Sequence, residues 1–125
     1  MTQSLQSVLQ ELKHEVDHLA ATHVVDIESG MALCGISNDP TFDSGAAAAS
    51  YANVVKANAA ALYFLGFDAH ATEDIVITTR TLYILIRMLG PRHYHSIAMG
   101  KQGSLGLARN IMSSYAPRLL YAIPT

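Results

Sequence analysis

Between Ser44 and Phe67 the chain runs through a helix-forming, alanine-packed stretch whose only charged residue is Lys56. A helix lying on the surface of a small soluble domain carries a charged stripe toward water. With that stripe missing, both long faces of this helix are expected to be covered, one by the domain's own core and the other by a second chain. The feature points to an interaction module rather than an enzyme. The run is long enough to cross a bilayer, but Ser50, Asn53, Lys56 and Asn58 interrupt its middle, where polar groups are costly in lipid. Membrane insertion is therefore not expected.

The remaining periodicities surround this helix with short strands. Leu5, Val8, Leu9, Leu12, Val16 and Leu19 recur three and four apart with polar residues between them, predicting an amphipathic first helix with one buried stripe. His23–Ile27 and Met31–Ile36, joined by the turn Glu28-Ser29-Gly30, read as a β-hairpin. Asp43 or Ser44 caps the central helix and Gly66 stops it. Asp74–Thr79, Leu82–Met88 and His95–Met99 form three more strands with short links, and a last helix from Leu105 is ended or kinked by Pro117. Short links favour antiparallel pairing, so the order helix, two strands, helix, three strands, helix predicts an α+β domain.

Size and charge narrow the function. The 125 residues suffice for one domain, taken as 1–125, and leave no room for separate cofactor and substrate domains. A formal net charge of −2 without a basic stripe argues against nucleic acid as a partner. The amino terminus carries Glu11, Glu15 and Asp17 in a helical pattern and does not read as a signal peptide. Cys34 is the single cysteine, so no intrachain disulfide forms. A reducing cytoplasmic setting is expected.

Projected at about 100° per residue, Tyr51, Val54, Val55, Leu62 and Leu65 gather on one side of the central helix, assigned to the sheet. The other side carries Ala46, Ala49, Ser50, Asn53, Ala57, Ala60 and Phe64. Small side chains allow a partner helix to approach closely, Ser50 and Asn53 can set register, and Phe64 is the apolar anchor. Asn58 falls toward the sheet, where its amide needs a partner. The third strand has no charge, proline or bulge signal between Ile75 and Thr79, so it reads as an open edge suited to pairing with a symmetry mate. Loop cover from Phe67–Glu73 is the alternative.

Motifs for chemistry are weak. His14-Glu15-Val16-Asp17-His18 spells H-E-x-x-H, which on a helix can hold zinc beside a general base. Here it lies on an amino-terminal helix with no third ligand nearby, and its histidines are expected to face solvent. His93 and His95 alternate on a strand or its approach and share a side, at best an adventitious metal site. Gly100-Lys101-Gln102-Gly103 has the ingredients of a phosphate cradle without the spacing. Cys34 sits in an apolar strand, where a thiol is inert. No nucleophile and base pair is found, so neither catalytic nor metal residues are assigned and no cofactor is expected.

The order of elements resembles the Roadblock/LC7 family, which includes bacterial partners of small Ras-like GTPases and dynein light chains. The likeness rests on the Glu28-Ser29-Gly30 turn between two strands, on Ala57-Asn58-Ala59-Ala60-Ala61 in the central helix, and on Leu105-Gly106-Leu107-Ala108-Arg109 where a strand gives way to the last helix. It implies a five-stranded antiparallel sheet with the central helix on one face and the terminal helices on the other. It also implies a homodimer in which central helices pack together and third strands, at Ile75 and Ile77, join two sheets. A small Ras-like GTPase is then the expected partner, with Lys56, Asn53 and Tyr63 as rim contacts. A purely architectural or motor-associated adaptor and a small-ligand sensory domain are the alternatives.

Overall fold

In the computed structural model, which describes residues 3–124, the elements are α1 (Leu5–Lys13), β1 (Leu19–Asp26), β2 (Ala32–Ser37), α2 (Ser44–Phe64), β3 (Asp74–Thr78), β4 (Leu82–Leu89), β5 (His93–Gly100) and α3 (Leu105–Ala122). The ends of the 1–125 span, residues 1, 2 and 125, lie outside the described part. The five strands form one antiparallel sheet in the order β2-β1-β5-β4-β3. Because side chains alternate across a strand, the sheet presents two faces. Val24, Leu85, Leu89, Ile97 and Met99 pack with α1 and α3. Val25, Ile84, Ile86, Tyr94 and Ala98 pack with α2.

The first helix is shorter than its periodicity predicts. It stops at Lys13, with His14 as its C-cap, and the chain turns until β1 begins at Leu19 rather than at His23. Val16 and Leu19 are still buried, Val16 in the turn and Leu19 as the first strand residue. Their spacing mimics a helix, but the chain must reverse here to enter the middle of the sheet. His18 makes the reversal in the left-handed region at φ 60°.

α2 ends as expected. Gly66 takes φ 82°, its N–H donates to the Tyr63 carbonyl, and the Phe67 N–H reaches back to the Leu62 carbonyl at 2.9 Å. This paired closure satisfies the last free carbonyls of the helix and requires a residue that tolerates positive φ. At the other end the Asp43 carboxylate accepts from the Ala46 N–H at 3.0 Å. Of the two expectations for α3, that Pro117 ends it does not hold: Pro117 lies inside the helix, which continues to Ala122. Proline deprives the carbonyl four residues earlier of its donor, and that residue, Ser113, is exposed, so water can replace the bond. The turn beyond Pro117 is retained because it buries Leu119 completely.

Two histidines are buried in the sheet. The Thr22 hydroxyl donates to the Ser96 carbonyl at 2.9 Å, so its contact with His95 Nε2, also 2.9 Å, must receive the ring proton. Nδ1 is then the unprotonated nitrogen, and it has no hydrogen-bond partner. Burial, with smaller repulsion from His23 and Arg87, lowers the His95 pKa to about 3 and keeps the ring neutral. On the opposite face His23, whose pKa is also lowered by burial, stacks on Phe42 and lies against Gly35. A Cβ at Gly35 would fall 2.1 Å from the His23 ring.

Candidate interaction surface

Ala48, Ala52 and Val55 are the buried positions of α2, and they repeat at spacings of four and three. Tyr51, Asn58, Ala59 and Leu62 are half-buried beside them. This corrects the projected sheet side at two positions: Val54 and Leu65 are exposed, Leu65 at 70%. The projection was centred on the large apolar residues, whereas the helix approaches the sheet through its small ones. Close approach is fixed by the Tyr94 hydroxyl, which donates to the Ala48 carbonyl at 2.8 Å in a buried contact. Burial pushes the Tyr94 pKa upward, so the phenol stays a donor.

The opposite side of α2 is as expected in its composition. Ala46, Ala49, Ser50, Asn53, Ala57, Ala60 and Phe64 are all exposed in the single chain. Lys56 is tethered, its ammonium donating to the Glu28 carbonyl at 3.1 Å in the β1–β2 turn. The carboxyl end of the helix adds an apolar cluster: Tyr63 is 71% exposed, Phe64 84% and Phe67 64%, with the Tyr63 and Phe64 rings edge to face at 5.8 Å. Leu65 and Phe67 were not among the expected surface residues. Their signal was nevertheless present, since Ala59–Phe67 holds no ionisable side chain other than the Tyr63 phenol. Exposed apolar residues gathered in this way make the end of α2 a candidate interaction surface.

β3 is an edge strand, paired with β4 alone. Ile75 and Ile77 are half-buried and pack toward the α2 side, while Asp74 accepts two hydrogen bonds from Arg109 of α3 on the other face. The preceding loop is tied to α2 and to itself. Its donors close on Leu62 and Asp68, and the Asn58 amide donates to the Thr72 hydroxyl at 2.7 Å. That bond supplies the partner Asn58 requires. Among the described residues no backbone hydrogen bond runs from the loop to the outer rim of β3.

The motifs with catalytic overtones are absorbed into structure. His14 and His18 do not share a helix face, because His14 caps α1 and His18 lies beyond the helix at positive φ. Glu15 accepts a short hydrogen bond from the Tyr115 hydroxyl of α3, which occupies the would-be base. No group of three or more His, Cys, Asp or Glu is placed to hold a metal among the described residues. His93 and His95 do share a side of β5, His93 beside Asp26 at 3.9 Å and His95 bound to Thr22. Lys101 rests over the Tyr83 ring, and Ser104 caps α3. The Cys34 thiol donates to Gln6 at 2.6 Å, and burial raises its pKa, consistent with an inert thiol. No helix among the described residues is long and apolar enough to cross a membrane.

Three helices on a five-stranded antiparallel sheet define a small α+β domain with the element order α-β-β-α-β-β-β-α. Comparison with solved structures places the chain more closely. Myxococcus xanthus MglB superimposes with a TM-score of 0.82 at 16% identity over 93% of this chain and 91% of that one. An MglB described in a tetrameric arrangement gives 0.80 at 18%, covering 91% and 83%. A Roadblock/LC7 domain from Streptomyces avermitilis gives 0.76 at 16%, covering 94% and 99%. The chain has the Roadblock/LC7 fold, as the resemblance in its sequence implied. No protein-family model matches it, and no curated protein matches it in sequence.

Proposed function

We propose that the chain is a homodimeric adaptor that binds and regulates a small Ras-like GTPase. The observation that carries this reading is the exposed, uncharged face of α2 in a chain whose β3 is also an unpaired sheet edge. Each is a liability in a monomer, one as apolar surface and the other as unpaired backbone. A two-fold axis beside β3 removes both at once, since one patch then meets its own copy. In this arrangement Ala57 and Ala60 lie in the helix seam, Ser50 and Asn53 set its register, and Ile75 and Ile77 flank the strand junction. Lys56, Asn53 and Tyr63 are the rim contacts, Lys56 being already oriented by Glu28.

The GTPase follows from the resemblance to a family that includes such partners. A rigid dimer surface can regulate hydrolysis without donating a catalytic group, by binding one arrangement of the switch loops more tightly than another. The test has two stages. Light scattering of the purified protein at micromolar concentration is expected to give a dimer. Immobilised protein is then expected to retain a small GTPase from native lysate in a manner that depends on the bound nucleotide. Retention that is indifferent to nucleotide, or absent from an intact dimer, would remove the GTPase part and leave the adaptor.

A further inference from the structure

The buried stripe of α2, Ala48, Ala52 and Val55, stops well before the helix does. Ala59, one turn beyond Val55 on the same side, is only half-buried, and it lines a cleft of about 650 Å³. The facing walls are Ile27 after β1, Met88 of β4, the Gly90-Pro91 turn and the loop before β3. The volume falls in the range of small-molecule sites, which combine apolar walls with a few placed polar groups.

The position of each ionisable group on the lining decides what kind of molecule fits. Met88 packs on the α2 face with Ile84 and Ile86, and strand alternation sends its neighbour Arg87 to the other face with Leu85 and Leu89. Arg87 therefore adds backbone to the wall and no charge to the interior. The Lys56 ammonium is committed to the Glu28 carbonyl at 3.1 Å. His70 and Glu73 are exposed, so water solvates them. The polar side chains drawn partly inward, Asn58 and Thr72, are neutral and bond to each other at 2.7 Å. That bond ties the loop to α2, so two walls are organised before a ligand arrives. An ion entering such a space loses its hydration and meets no counter-charge, whereas an apolar body gains by leaving water.

We infer that this cleft binds a small uncharged molecule with a compact apolar body, packed against Ile27, Val55, Ala59 and Met88, any polar group on it being neutral and set toward Asn58 and Thr72. Every wall comes from one chain, and the cleft lies across the helix from Ala57, so the inference depends on neither the dimer seam nor the GTPase.

Two dyes of nearly equal body test it. N-phenyl-1-naphthylamine is neutral, and 1-anilinonaphthalene-8-sulfonate adds a permanent negative charge. The wild-type protein is expected to bind the neutral amine at one per chain and the sulfonate at least about tenfold more weakly, since nothing inside replaces the hydration of the acid group. Ala69→Trp, which fills the cleft from the loop and leaves the buried stripe of α2 untouched, should abolish binding of the amine. Ala59→Trp should do the same from the helix, with far-ultraviolet circular dichroism and the urea midpoint reading the fold of both variants. Phe64→Ser, which removes the exposed aromatic, should leave amine binding intact. A sulfonate bound as tightly as the amine, an Ala69→Trp protein of wild-type dichroism that still binds the amine, a stoichiometry of one per dimer, or loss of binding in Phe64→Ser would overturn the assignment. Light scattering on the same samples reads the dimer separately.

Discussion

The two faces of the sheet are finished differently. Under α1 and α3, sixteen buried residues make one continuous cluster, and polar contacts close the helices over it: Arg118 to Glu11, Tyr115 to Glu15 and Arg109 to Asp74. Under α2 the buried cluster has eight residues. The outer side of α2 carries no ion pair among the described residues, and large apolar groups gather at its carboxyl end. The first face turns charged groups to water, beside the exposed Leu107, Leu120 and Tyr121 of α3. The second leaves an uncharged surface on the outer side of α2, the surface that the proposed homodimer would cover.

Four measurements break or sharpen that contrast. The largest effect is expected from Ala57→Arg or Ala60→Arg, because a guanidinium buried without a counter-ion in a close seam costs about 3 to 5 kcal/mol. Light scattering should show monomers whose thermal unfolding remains cooperative, and two variants still dimeric at micromolar concentration would disprove the assigned face. On the closed side, Leu119→Ala should cost about 3 kcal/mol of folding stability through the cavity it leaves, read by urea denaturation. Oligomeric state should follow the wild type at low denaturant, since Leu119 lies far from α2 in the layer order.

The third concerns pH. His95 has a folded pKa below that of the unfolded chain, so the unfolded state binds more protons as pH falls. Its contribution is fully present above about pH 6.5 and drains as the pH drops toward the folded value, on the order of 1 kcal/mol per pH unit. His23, lowered in the same direction, adds to the loss. Urea midpoints should therefore fall steadily between pH 7 and pH 5, and a flat profile would contradict the buried neutral rings. The smallest effect is expected at the loop: Thr72→Val removes the acceptor for Asn58 at about 1 kcal/mol. Hydrogen exchange in residues 67–73 should rise without a change in the closed face.

Much of the fold was legible because its signals are local. Gly66 ended α2 where a positive φ was needed, Asp43 capped it, and the alternating apolar runs placed five strands in the right order. The open edge at β3 was readable from the absence of charge and proline between Ile75 and Thr79. The errors arose where long-range contacts override local pattern. Leu12, Val16 and Leu19 keep helical spacing across a turn, because burial depends on where a side chain ends and not on the element that carries it. Hydrophobicity points Val54 and Leu65 inward, yet Ala48 and Ala52 form the contact, because helix and sheet meet where the backbone can come closest.

From residue order came the class of fold, the uncharged helix and the expectation of a partner, since periodicity and missing charge are properties of neighbouring residues. Folding in three dimensions settled which side of α2 is spent internally, that Glu15 is held by Tyr115, that His95 is sealed beside Thr22, and that Asp74 is taken by Arg109 of α3. Each of these joins residues distant in the chain. Distances of that kind follow from packing, which no local run of side chains encodes.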